Sequence, residues 1–235
     1  MNLRVLCLLI LVSIPVFAET AESADAILAN YVAASHAQEQ SVRGASMEVQ
    51  IDAALPRLKK TGKLHALRRI SQIGRITYEA LKFEGDNTVK NQVINRYLSA
   101  EVEAQQGQPS SMAVTPDNYK FKLKNRDVID GRDVYIFQVT PKQKRQGLFK
   151  GDIAIDASTY LRVRESGALV KNPSIFLKKV TFTRDYEILS GVAVLRQVRS
   201  VVDTRLVGKA EINIDFTNIS VEATSQTAMG LVAGQ

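Results

Sequence analysis

Apolar and polar residues alternate with a period of two through much of the chain. Met47, Val49 and Ile51 alternate with Glu48, Gln50 and Asp52. Tyr119, Phe121 and Leu123 alternate with Lys120, Lys122 and Lys124, and Ile212, Ile214 and Phe216 with Asn213, Asp215 and Thr217. Each run predicts a strand with one buried and one wet face, the pattern of an antiparallel sheet. Weaker runs over 63–70, 75–83, 133–140, 151–156, 160–166, 178–189 and 192–204 bring the expected number to about ten. Asp130-Gly131 and Ser190-Gly191 supply two-residue hairpin turns, and Val207-Gly208 supplies a further turn. Hairpins in series predict a meander, because parallel crossovers need long connections.

Two segments carry a helical period instead. Ser23 is placed to cap a helix that runs to about Gln38, with Ile27, Leu28, Tyr31 and Val32 on one stripe. A second helix is expected after Asp86-Asn87, with Val89, Val93, Ile94, Tyr97 and Leu98 as its apolar face. It should end near Gln105, with Gly107 and Pro109 beyond it and a polar loop over 105–111. Two helices with modest stripes cannot cover one apolar face of ten strands. The sheet must curl on itself and use the helices as a plug or lid. The expected class is α+β: a curled, incomplete antiparallel β-barrel, or half-barrel. Such a sheet lined with Val, Ile, Phe and Tyr either packs solid or keeps an apolar cavity, and the pattern allows both.

The N-terminus breaks the alternation. Arg4 precedes a run from Val5 to Ile14 in which Ser13 alone is not apolar, and Val16-Phe17-Ala18 then offers a cleavage site. This predicts a secretory signal peptide over 1–18, too short to span a bilayer of roughly 30 Å. The mature chain would be one domain over 19–235, without the single cysteine, Cys7. Thiol catalysis, thiolate–zinc sites and disulfides would leave with it. No later segment of the sequence is apolar for long enough to span a membrane. Composition adds little: 45% hydrophobic and 23% charged residues are ordinary for a globular chain and exclude wholesale disorder. The formal net charge of +7 says nothing of the fold.

Gly151 to Arg164 reads as a strand ending at Asp156, a turn through Ala157, Ser158 and Thr159, and a return strand from Leu161. With Tyr135 to Pro141 before it, and with the order helix, three strands, helix, meander, the chain resembles the LolA/LolB-like periplasmic lipoprotein carriers and outer-membrane lipoprotein-sorting proteins. The resemblance covers most of 22–221, on short motifs. It departs from the commonest form at Leu161-Arg162, where relatives often have Leu-Pro. The resemblance implies helices over a hydrophobic cavity that holds acyl chains. It implies an exported carrier of lipid or lipoprotein acyl groups, periplasmic, monomeric, with no cofactor, no metal and no enzymatic activity. A membrane-bound donor or acceptor protein would be its further partner, and transfer would run toward the outer membrane. In such carriers a strand arginine holds the lid closed, and Arg43, Arg68 and Arg69 are all open to that part. Related folds also serve as envelope-stress sensors or scaffolds that bind a partner protein, which is the rival reading.

The candidate lid residues are Ile27, Leu28, Tyr31, Val93 and Tyr97. The candidate wall residues are Met47, Val49, Ile51, Phe121, Leu123, Ile153, Ile155, Phe182, Ile212, Ile214 and Phe216. An acyl chain brings about 0.8 kcal/mol per buried methylene, so a dry apolar site suffices and no catalytic group is needed. Competing chemistry is thin. His36 and His65 are the only histidines, and no Gly-x-Ser-x-Gly elbow, His-Glu-x-x-His or glycine-rich phosphate loop is present. Asp127, Asp130 and Asp133 bracket a turn and are expected to be solvated, and Asp152 and Asp156 to cap strand ends. Lys120, Lys122, Lys124 and Arg126 are expected to share a solvated strand face that discourages edge pairing. Leu148 and Phe149 follow a basic run, and either touch a membrane surface or begin the next strand. Export argues against nucleic acid as a partner.

Overall fold

Residues that alternate in polarity hold a pleated strand because its side chains point to opposite faces, and the apolar set can then leave water together. A computed structural model of the chain, describing residues 22–39, 43–106, 111–205 and 207–221, shows this on ten strands. The proposed signal segment, with Cys7 and the site after Ala18, lies outside the described residues, as does most of the loop expected over 105–111. The strands are β1 (Ala45–Leu55), β2 (Lys60–Ile70), β3 (Ile76–Gly85), β4 (Tyr119–Ile129), β5 (Arg132–Pro141), β6 (Phe149–Asp156), β7 (Arg162–Leu169), β8 (Leu177–Leu189), β9 (Val192–Thr204) and β10 (Lys209–Val221). They form one antiparallel sheet in the order β3-β2-β1-β10-β9-β8-β7-β6-β5-β4. The first strand thus pairs with the last, Ile51 facing Ile214 and Val49 facing Phe216. β3 and β4 are the two edges of the sheet, which is therefore open and fits a curled half-barrel.

The hairpins turn where expected. Asp130 and Gly131 take φ of 49° and 77°, and Ser190 and Gly191 take 50° and 79°, the left-handed pair that matches the twist of flanking strands. A tighter constraint lies between β6 and β7, where Gly151 faces Gly167. A Cβ on Gly151 would stand 1.9 Å from the Ser166 carbonyl oxygen, and one on Gly167 would stand 2.4 Å from that of Lys150. The two backbones approach so closely there that neither position admits a side chain.

Helix α1 (Ala24–Glu39) starts at Ser23, whose Oγ accepts from the Ala26 amide at 3.2 Å. The second helical run starts at Asp86, whose carboxylate accepts from the Thr88 amide at 2.7 Å. It comprises a short turn α2 (Asn87–Val89), a π turn over Lys90–Ile94, and α3 (Asn95–Gln106). The π turn adds a residue to the repeat, and Val89, Val93, Ile94, Tyr97 and Leu98 all pack on the apolar cluster of β1, β2 and β10. The regular spacing of the sequence does not reveal that insertion.

Ladder registers define an inner face, the face under the helices. Across its middle run Ile153, Glu165, Arg184, Val198, Ile214, Ile51, Leu64 and Phe83, one from each strand from β6 to β3. Two packed apolar clusters occupy this face. One lies under 87–98 on β1, β2 and β10, and the other lies under α1 on β4, β5 and β6 with Phe182 of β8.

Three expectations need correction or sharpening. The register of β4 against β5 slips between Leu123 and Asn125, so Arg126 stands opposite Tyr135 and donates to its hydroxyl at 2.8 Å. Arg126 therefore leaves the face of Lys120 and Lys122, because a bulge inverts every later side chain. Leu148 and Phe149 are buried where β6 begins, so they present nothing to a membrane. Exposed apolar residues stand instead at Ile175-Phe176, between β7 and β8, and at Ile73, between β2 and β3. His36 and His65 are exposed, as are Asp127, Asp130 and Asp133. Asp156 caps its turn, accepting from the amides and hydroxyls of Ser158 and Thr159.

Candidate functional site

The sixteen candidate residues all reach the apolar clusters of the inner face, but they divide evenly between the two. Met47, Val49, Ile51, Val93, Tyr97, Ile212, Ile214 and Phe216 form or flank the first. Ile27, Leu28, Tyr31, Phe121, Leu123, Ile153, Ile155 and Phe182 form or flank the second. Most are buried, while Leu28, Tyr97, Phe121 and Leu123 are half-buried. The second cluster is rich in rings: Phe149 meets Phe182 edge-on at 5.0 Å, and Phe121 lies 6.3 Å from Tyr31 and 6.2 Å from Phe137. The candidates therefore pack against one another in two groups. One open concavity of about 390 Å³ lies between β3 and α3, lined by Tyr78, Leu81, Leu98, Ser99, Val102 and Glu103. A second, of about 750 Å³, is lined both by outward positions such as Asp52, Lys63, Glu84 and Asn213 and by inner ones such as Ala53 and the candidate wall residue Ile212.

Polar contacts fasten each helix. Glu22, just before α1, accepts from the hydroxyls of Tyr135 at 3.2 Å and Tyr160 at 3.1 Å, and from Asn30 at 3.1 Å. In mid-helix the Tyr31 hydroxyl donates to the Val114 carbonyl at 2.9 Å. Near the C-terminal end the Gln38 amide pairs with both backbone groups of Ala193, at 3.0 and 3.1 Å, as a neighbouring strand would. Helix α3 is fastened differently. Arg68, on the inner face of β2, donates to Glu101 at 2.8 Å, and Tyr78 of β3 donates to the other oxygen of the same carboxylate. Of the three arginines open to holding a lid, Arg68 meets the helix; Arg69 pairs with Glu79, and Arg43 reaches the Gln72 carbonyl. Arg68 is 7% exposed and also lies 5.7 Å from the Phe216 ring. Its Nε has no hydrogen-bond partner among the described residues. Burial pushes the Tyr78 hydroxyl well above its ordinary pKa, and the Glu101 charge adds to that.

A second polar group occupies the middle of the inner face. Glu165 of β7 is 1% exposed. It accepts from Arg162 at 2.8 Å, from Arg184 at 3.3 Å and from the Tyr186 hydroxyl at 3.0 Å. Burial alone would raise the Glu165 pKa, but the two guanidinium groups and the Tyr186 hydroxyl outweigh it and hold it below the ordinary value. Each arginine rests on a ring: Arg162 lies 4.9 Å from the Tyr186 centroid and Arg184 lies 4.6 Å from that of Phe182. Tyr97 of α3 and Tyr31 of α1 border this group. Burial raises both hydroxyls; Arg184 and Arg68 act on Tyr97, and Arg162 on Tyr31.

Arg162, Glu165, Arg184 and Tyr186 were not among the residues expected from sequence. Strand parity held the signal for two of them: from Phe182, every second residue is Arg184 and then Tyr186. A slip between Ala154 and Ile155 in the β6–β7 ladder obscures the parity of Arg162 and Glu165.

The sequence matches no family model and no curated protein. Several solved structures are similar in shape. A DUF1329 family protein from Desulfovibrio piger matches over 84% of this chain and 94% of its own, at 16% identity and a TM-score of 0.42. A LolA superfamily protein from Nitrosomonas europaea matches over 86% and 95%, at 12% identity and a TM-score of 0.39. The Pseudomonas aeruginosa MucA/MucB complex matches over 83% and 99%, at 13% identity and a TM-score of 0.26.

Proposed function

We propose that the protein is an exported, periplasmic, non-enzymatic carrier that takes an acyl chain of a lipid or lipoprotein between its helices and the inner face of its sheet, for transfer toward the outer membrane. The observation that carries this reading is the way α3 is held. An apolar face of ten strands is covered by two helices, and α3 is tied to it through the buried Arg68–Glu101–Tyr78 contact. A cargo chain needs apolar surface that can be uncovered and closed again. A helix whose polar tie to the sheet, among the described residues, is this one carboxylate beside an open groove supplies that, whereas an uninterrupted core would not. The sixteen inner-face residues are then the surface the chain meets as α3 moves. The sheet edges speak against pairing with a partner's strand. β4 carries Lys120, Lys122 and Lys124, all exposed, and β3 carries a register slip near Ala80, whose φ is 52°.

Native mass spectrometry of protein purified from the exported fraction tests this. The expected spectrum shows a chain beginning at Glu19 with bound lipid or an acylated peptide. An empty chain in a stoichiometric protein complex would overturn the carrier reading in favour of a scaffold or sensor.

A further inference from the structure

The middle of the inner face has a charge imbalance that its own contacts do not remove. Glu165 supplies one negative charge, and Arg162 and Arg184 supply two positive charges. The outward-facing neighbours do not redress this, because Asp185 lies on the opposite face, where it binds Arg164 and Arg199. The second polar group is balanced within itself, Arg68 against Glu101. One positive charge is therefore in excess within the Arg162–Glu165–Arg184 group. The side chains of the two arginines are 34% and 42% accessible, so both meet solvent. Each gives one N–H to Glu165, and a guanidinium has five. Donors therefore remain for a ligand on two partly exposed side chains that rest on the rings of Tyr186 and Phe182.

We propose that this group is the headgroup site for an anionic amphiphile: it takes a phosphate or carboxylate on Arg162 and Arg184, while the acyl chain lies on the apolar clusters to either side. The proposal rests on the carrier reading and specifies its cargo class. Fork-shaped guanidinium donors match the paired oxygens of such groups, and charge-assisted bonds are the strong ones. Glu165 is a positioning residue that fixes both guanidinium planes. Its negative charge leaves the site with net attraction for a single anionic headgroup while keeping the unliganded protein from holding two uncompensated cations.

Calorimetric titration of delipidated protein with dodecyl phosphate, dodecyl maltoside and inorganic phosphate, below micellar concentrations, tests it. Dodecyl phosphate should bind about tenfold more tightly than dodecyl maltoside, and inorganic phosphate far more weakly than either. Arg162→Gln and Arg184→Gln, combined with Glu165→Gln so that no charge is left buried alone, should bring the ratio between the two amphiphiles close to one. Glu165→Gln should raise the ratio, which loss of structure alone would not do. Phenylglyoxal labelling of the unaltered protein gives a readout independent of any variant. Arg162 and Arg184 should be shielded by dodecyl phosphate and not by dodecyl maltoside. A ratio of one with both amphiphiles bound, or equal shielding by both, overturns the headgroup site and leaves the carrier reading standing. Binding of neither amphiphile overturns both readings. Inorganic phosphate binding as tightly as dodecyl phosphate overturns the amphiphile and leaves a free-anion site.

Discussion

Arg68 shows how much one side chain holds here. Its side chain is 8% exposed and that of its partner Glu101 is 19% exposed, so neither is well solvated and each depends on the other. Removing one partner of such a pair leaves the other charge buried alone. Arg68→Ala should therefore cost about 3 kcal/mol of stability, measured as a shift of the denaturant midpoint. Arg68→Met combined with Glu101→Met should recover a good part of that loss, since neither charge then remains. Glu165 gives a pH dependence of definite sign. Its folded-state pKa lies below the unfolded one, so its contribution is full above the ordinary glutamate range and is lost as pH falls through the lower, folded value. Unfolding of the native protein and of Glu165→Gln, compared from pH 7 to pH 3, should show a native advantage at neutrality. That advantage should shrink below about pH 4, and one independent of pH would contradict the assignment. Residues of this kind were the hardest to read from sequence. Arg184 lies at a position that parity assigns to the apolar face, but an arginine within an alternating run reads as a wet-face residue. Its partners come from another strand, and pairing between strands is not encoded locally.

At the scale of elements, nearly everything repetitive was legible. All ten strands and both helical runs fall where the periods of two and 3.6 place them, since each run must bury one face. What escaped was produced by single-residue insertions: the π turn at Lys90–Ile94 and the bulge that carries Arg126 away from its lysine neighbours. An added residue leaves local composition unchanged and alters only phase. The helices, alike in their apolar stripes, also differ in attachment. Contacts at Glu22, Tyr31 and Gln38 fix α1 at its start, middle and end. Helix α3 follows a π turn, a local irregularity of the kind often found at functional sites, and depends on Glu101. Hydrogen exchange without ligand should therefore be faster in 95–103 than in 24–38, and faster there than in 192–202. Added dodecyl phosphate should slow 95–103 most. Equal protection of both helices would remove α3 as the moving part.

At the scale of the molecule, the shape depends on places where no side chain fits. Gly151 and Gly167 face each other across β6 and β7, beside the Phe149–Phe182 ring contact. Gly151→Ala would drive a methyl group into the Ser166 carbonyl, which cannot yield without moving β7. A loss of more than about 3 kcal/mol is expected, read as the midpoint of thermal or urea unfolding. Gly131→Ala is the control, since an added Cβ meets nothing within 4 Å there and only the positive φ resists it. The pairing of the first strand with the last has a different kind of consequence. Asn218 bonds Glu48 across a separation of 170 residues, so β1 has no neighbour on that side until the end of the chain is available. While the chain emerges from the ribosome, β1 to β3 form a sticky, half-dressed sheet that waits for its closing strand. Folding dominated by so distant a pairing is slow and exposed to aggregation. The order in which the polypeptide is delivered thus makes the docking of β10 the step that commits the whole sheet, and gives any escort that shields β1 a defined moment to let go.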